Sequence, residues 1–223
     1  FNNAEDLQKY PRTLEKDTTL LESLGVHFVF APTAEEMYSA EEMQARFSFD
    51  FNGLDEVMEG KMRPGHFNGV VQVVSRLFEL VRPTRAYFGE KDFQQLAIIR
   101  HMVEHSTLSS NFNNLKIVGC PIVREASGLA LSSRNERLSD NEKQTAVAIS
   151  QTLIASLEWA KTDSLEEVQK RVIDTINAID GLEVEYFEIV DKTTLQPTTT
   201  FDNAIGCVTV YCGPVRLIDN IQY

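Results

Sequence analysis

The run Gly89-Glu90-Lys91-Asp92-Phe93-Gln94-Gln95 places a glycine, a lysine and a carboxylate side by side. It follows the short apolar run Arg85-Ala86-Tyr87-Phe88 and precedes apolar positions at Leu96, Ile99, Met102 and Val103, which have helical spacing. A strand that ends in glycine and feeds a helix aims backbone N–H groups and a lysine at a point where a phosphate can sit. Gly89 lets a ligand approach the backbone closely, and Lys91 is a mobile point charge suited to phosphate. Asp92 repels phosphate and suits a ribose diol better. Gln95 lies three residues further on, shares that helix face, and can both donate to and accept from a hydroxy acid. A second cluster, Gly128-Leu129-Ala130-Leu131-Ser132-Ser133-Arg134-Asn135, supplies two hydroxyls and a guanidinium, a donor set that grips polyphosphate oxygens. Alone, the first cluster reads equally as a charged turn and the second as a helix cap. Together they point to a nucleotide enzyme.

The elements that must position these groups alternate in the first part of the chain. Asp17 to Leu24 has a helical pattern, and Val26 to Ala31 reads as a buried strand closed by Pro32. Phe47 to Phe51 alternates with period two, as a half-exposed strand does. Helix is predicted over 70–81, strand over 85–88, helix over 93–105 and strand over 115–120, with a polar solvent loop over 105–114. Such alternation implies an α/β layer with parallel strands, and ligands of such sheets bind beyond the carboxyl ends of the strands. After Pro121 the pattern changes. Ser139 to Glu142 forms a capping box ahead of a helix reaching Lys161. A second helix spans 164–179, with Ser164 as N-cap and Gly181 ending it, and three strands follow over 184–190, 204–211 and 215–218. Two domains are expected, 1–121 and 122–223, with Lys91 in one and Ser132-Ser133-Arg134 in the other; closure of one on the other would grip a nucleotide from both sides.

Composition narrows the classes. With 21 Lys and Arg against 33 Asp and Glu, the formal charge is −12, which argues against a nucleic-acid surface or an anionic membrane face. No apolar run is long enough to span a membrane, and no signal peptide is visible. Cys120, Cys207 and Cys212 are odd in number and sit in apolar runs, as buried thiols of a reducing cytosol do. His101 and His105 have the i, i+4 spacing of a metal pair, but no third ligand or metalloprotease Glu accompanies them, so they read as surface histidines. Leu165 to Arg171 reads as a solvated helix face.

The two clusters, taken with Arg63-Pro64-Gly65-His66-Phe67-Asn68-Gly69-Val70, closely resemble the pantoate–β-alanine ligase family, and the resemblance extends to Tyr10-Pro11-Arg12-Thr13 and Arg216-Leu217-Ile218-Asp219-Asn220. It implies a Rossmann-like, nucleotidylyltransferase-type parallel-sheet domain, N-terminally incomplete, and a smaller C-terminal α+β domain. It implies ATP and Mg²⁺, with Gly89, Glu90, Lys91 and Asp92 on the nucleotide, the backbone of Val123 reading the adenine edge, and Leu131, Ser132, Ser133 and Arg134 closing over the triphosphate. Lys91, the two serines and Arg134 would carry the catalysis. Gln95 would hold pantoate, and Arg63 and His66 would stand at the mouth where β-alanine arrives, unless Arg-Pro-Gly-His merely orders a turn. A cytoplasmic homodimer is expected. The family's first strand, its His-x-Gly-His motif and a pantoate-binding Gln are expected ahead of Phe1. The alternatives are an incompetent fragment retaining partial nucleotide binding, and a related nucleotidylyltransferase acting on another carboxylic acid.

Overall fold

The computed structural model describes residues 12–44, 47–105 and 107–223. Tyr10, Pro11 and the first residues of the chain, which carry part of the resemblance, lie outside them. The chain divides into two compact units, residues 1–49 and 50–223.

In the first unit, helix α1 (Leu14–Ser23) buries none of its residues. Helix α2 (Ala34–Met37) starts at a reciprocal capping box, in which Thr33 Oγ1 accepts from Glu36 N–H and Glu36 accepts from Thr33 N–H. Helix α3 (Ala40–Gln44) follows. The strand expected over 26–31 does not form: Phe28 is 91% exposed, and the segment has no regular structure. A strand needs a neighbour for its backbone groups, and none of the described strands pairs with this run. The run over 47–51 is likewise not a strand, although burial alternates along it up to buried Phe51. Period two reports which side chains point inward, and an extended loop satisfies that as well as a ladder does.

The second unit holds both sheets. Helix α4 (Met58–Met62) leads into α5 (His66–Val81), which begins four residues before the expected start. Strand β1 (Arg85–Gly89) runs into a 3₁₀ turn at Glu90–Asp92 and then helix α6 (Phe93–Glu104). Strand β2 (Lys116–Cys120) pairs with β1 in parallel, Gly89 opposite Cys120. Val71 on α5 and Ile98, Ile99 and Met102 on α6 are fully buried, so both helices present apolar faces inward. The expected solvent loop after His105 instead carries a 3₁₀ turn (Ser109–Phe112), whose Phe112 is buried edge-on to Phe78 at 5.8 Å. A single aromatic in a polar run is enough to anchor it.

Helix α7 (Asp140–Trp159) opens on the expected capping box Ser139/Glu142, and at α8 (Leu165–Asn177) the expected N-cap Ser164 is completed into a box by Glu167. On α8, Val168, Val172 and Ile176 recur every four residues and are all fully buried. They pack with Ile149 and Leu153 of α7 against an antiparallel sheet of order β3 (Leu182–Asp191), β4 (Ala204–Cys212), β5 (Val215–Gln222). Strand β5 extends four residues beyond the expected Ile218, because Asp219 and Asn220 continue the ladder against Val208 and Cys207. Charged and amide side chains hide that extension in the sequence.

Candidate active site

A cleft of about 540 Å³, measured out to its open mouth, lies where the β1 strand end meets β5. It brings together Arg63, His66, Lys91, Asp92, Gln95 and Arg134 from the sequence-derived set. Ser132 joins Lys91 and Arg134 in an adjoining hollow of the same wall. Gly89, Glu90, Val123, Leu131 and Ser133 are not among the lining residues. Val123 and Leu131 are solvent-exposed on a hairpin-like turn closed by Leu131 N–H donating to Val123 O (2.9 Å). A Cβ added at Gly89 would meet nothing within 4 Å, so the space above that strand end is open. The Glu90 carboxylate is directed toward Gly119 and Arg100, away from the cleft. Ser132 Oγ accepts from Arg134 N–H (3.2 Å) and so caps the 3₁₀ turn Ser133–Arg137.

Much of the wall comes from residues outside the sequence-derived site set. Arg216 on β5 grips Glu59 of α4 with both terminal nitrogens (2.8 and 2.7 Å) and donates from Nε to Glu185 (2.9 Å). Tyr186 O–H (2.8 Å) and Thr209 O–H (3.0 Å) donate to the same Glu59 oxygen. Burial would raise the Glu59 pKa, but these donors, Arg216 foremost, pull it down to about 2. Burial also works against the Arg216 charge, yet the two carboxylates outweigh it and push its pKa up. Glu59 can reach this position because Gly60 follows it: a side chain there would strike the Asp55 carbonyl at 2.0 Å.

A second ion pair ties the loop after β2 to the same strand. Arg124 donates to Asp219 through two nitrogens (2.7 and 3.0 Å), and Asp219 is only 5% exposed. Beside it, the Asn220 amide donates to the carbonyls of Glu90 (2.8 Å) and Lys91 (3.1 Å). Gln94, next to the expected Gln95, is buried and donates to Leu54 O (2.7 Å) and Val57 O (2.9 Å). A signal for these residues exists in Arg216-Leu217-Ile218-Asp219-Asn220, where charged and amide groups interrupt an apolar strand, but the strand face they occupy is not readable from spacing alone.

The cations that face the open space behave differently from Arg216. Lys91 is half-buried, and burial lowers its pKa, Asp92 opposing that and Arg134 adding to it. Among the described residues Arg63 is held by a longer contact to Glu59 (3.6 Å), and burial lowers its pKa as well. Burial, then Arg63, take His66 down to about 4, so its imidazole is neutral at pH 7. Cys207 of β4 stands in the same wall, where burial and then the nearby carboxylates push its thiol up. Among the described residues no group of three or more His, Cys, Asp or Glu side chains is placed to hold a metal ion.

A parallel-sheet strand end with a desolvated lysine, two arginines and an amide on one cleft is a donor set suited to an anionic small molecule. The particular family follows from comparison with known proteins. The chain belongs to the pantoate-beta-alanine ligase family, whose model matches residues 1–222. It is similar to the pantothenate synthetase of Phocaeicola vulgatus, 59% identical over all of this chain and 78% of that protein, and to that of Porphyromonas gingivalis at 50%. Among solved structures, pantothenate synthetase from Thermus thermophilus superposes with a TM-score of 0.91 at 41% identity, covering all of this chain and 79% of that one. Pantoate-beta-alanine ligase from Francisella tularensis, complexed with beta-gamma ATP and beta-alanine, matches with a TM-score of 0.75 at 32% identity and 74% coverage of that chain.

Proposed function

We propose that this cleft condenses pantoate with β-alanine at the expense of ATP, through a pantoyl adenylate, releasing pyrophosphate and then AMP. The observation that carries the reading is the convergence of Lys91, Arg134 and Arg63 beside Gln95 on a single cleft, in a chain of this family. In the first step, a pantoate carboxylate oxygen attacks the α-phosphorus and the bond to the β,γ-unit breaks. Negative charge grows on the leaving pyrophosphate. Lys91 and Arg134 stabilise that charge from the cleft wall, and the hydroxyls of Ser132 and Ser133 join them as residues 122–223 close over the nucleotide. Mg²⁺, carried on the nucleotide's phosphate oxygens beside Lys91 and Arg134, would supply further charge neutralisation. Asp92 and the backbone around Gly89 and Glu90 take the ribose, and the backbones of Val123 and Leu131 frame the base. Gln95 orients pantoate.

In the second step, the uncharged amine of β-alanine attacks the acyl carbon and AMP leaves. His66, with its basicity cut by burial and by Arg63, is too weak a base to strip an ammonium. Its role is a neutral hydrogen-bonding partner, and Arg63 takes the carboxylate. Positioning supplies most of that step. Residues 122–223 close over the nucleotide and keep water from the mixed anhydride. We further propose that the protein works in the cytosol as a homodimer; no described helix is long and apolar enough to cross a membrane.

The test is an assay of the intact protein carrying this sequence with ATP, pantoate and β-alanine, following pantothenate, AMP and pyrophosphate. Pantoate-dependent exchange of labelled pyrophosphate into ATP is expected without β-alanine. Equal ATP consumption with an unrelated carboxylic acid and indifference to pantoate would overturn the substrate assignment.

A further inference from the structure

Asn220 sits in β5, far from either phosphate-type cluster in sequence, and the run Arg216-Leu217-Ile218-Asp219-Asn220 gives no sign of which groups its side chain meets. Its side chain nevertheless spans two consecutive carbonyls, Glu90 O and Lys91 O, on the 3₁₀ turn that presents the Lys91 ammonium. Asn220 is itself buried. An Asn amide has two N–H donors, and a carbonyl pair on successive residues of a tight turn is a matching acceptor set. Both bonds fix the backbone on either side of the Lys91 Cα, which a single bond would leave free to pivot. The preceding residue, Asp219, holds Arg124 on the stretch 124–130 that leads to Ser132 and Arg134. One dipeptide of β5 thus touches the backbone supports of both cation-bearing segments. The Asp219 carboxylate also accepts from Asn220 N–H (2.8 Å), so the two halves share a fixed geometry.

We infer that Asn220 is a positioning residue for Lys91, setting the ammonium of the strand-end turn in register with Arg134 across the cleft. The inference rests on Lys91 acting as proposed above. A buried amide can also do no more than satisfy the turn, so the test must separate placement from folding. Asn220→Asp keeps the side-chain shape but turns a donor into an acceptor-only carboxylate facing two carbonyls. Asn220→Ser keeps a smaller donor and spares the fold.

Both variants are made in the intact protein, alone and with Lys91→Ala, and adenylation is measured as pyrophosphate release alongside the thermal midpoint. A displaced catalytic group costs up to about 10²-fold, so Asn220→Asp should lower kcat by roughly that amount while the KM for ATP moves less than about threefold. Asn220→Ser should fall between. In the Lys91→Ala background, either substitution should cost no more than about threefold further, because the group it positions is already gone. If Lys91→Ala turns over normally, the reading of Lys91 fails first. If Lys91→Ala is crippled while Asn220→Asp retains its kcat, or the two losses multiply, the inference is overturned. It is equally overturned if neither Asn220 variant folds, since the amide is then an element of folding.

Discussion

Two arginines line one cleft and have opposite surroundings. Arg216 is saturated: Glu59 takes two of its nitrogens, Glu185 takes Nε, and Tyr186 and Thr209 complete the coordination of Glu59. Arg63 stands on the same cleft with one long contact to a carboxylate that is already engaged. Lys91 resembles Arg63, with burial weakening its charge and no carboxylate close enough to pair with it among the described residues. Charges that are fully paired inside the protein build the wall, and the proposed ligand contacts fall on the charges with fewer carboxylate partners.

Substitution can break this comparison most directly at the saturated end. Arg216→Met strands Glu59 and Glu185 without their cation and should cost about 3–5 kcal/mol of unfolding free energy in urea titrations. Lys91→Ala should leave the urea midpoint nearly unchanged yet slow pyrophosphate release by about 10²–10³-fold. If Lys91→Ala destabilises as much as Arg216→Met does, the two classes of charge are not distinct.

Acid sharpens the same contrast. The Glu59 pKa lies at about 2 when folded, against an ordinary 4.5, so its contribution is complete above 4.5 and fades as pH falls toward 2. A shift of that size corresponds to roughly 3 kcal/mol. The His66 pKa is also depressed, from 6.5 to about 4, so the unfolded chain takes up that proton first and stability declines as pH drops from 6.5 to 4. Thermal midpoints should therefore fall in two stages on acidification. His66→Gln should remove the upper stage and Glu59→Gln the lower. The smallest effect is expected far from the cleft: Ser164→Ala removes one half of the α8 capping box and should cost about 0.5–2 kcal/mol with kcat unchanged.

Much of this architecture is readable from local chemistry. The capping box at Ser139, the N-cap at Ser164, the four-residue apolar recurrence along α8, and the glycine-ended strand at Gly89 all rest on groups close in sequence, and their elements form where expected. Lys91, Arg134 and Gln95 stand out because their motifs are contiguous, and they do meet in one cleft. The strands expected over 26–31 and 47–51 fail because a strand's stability lies in its neighbours, which no local pattern reveals. Glu59, Arg216 and Asn220 escape notice as partners for the same reason. Arg216 meets Glu59 only because β5 crosses the molecule to α4, and Asn220 reaches Glu90 and Lys91 only because β5 runs on past Ile218. Side chains that act across long sequence separations carry no periodic signature.

The thiol of Cys207 gives the cleft wall one more property. Burial and nearby carboxylates keep it protonated, and thiols react with electrophiles and peroxides as the thiolate. A compound carrying a mild alkylating group could fill this cleft and still leave the sulfur untouched. Inhibitors of this site gain little from targeting the sulfur and more from anionic groups offered to Lys91 and Arg63. By the same chemistry, the Cys207 thiol reacts slowly with peroxide compared with an exposed low-pKa cysteine.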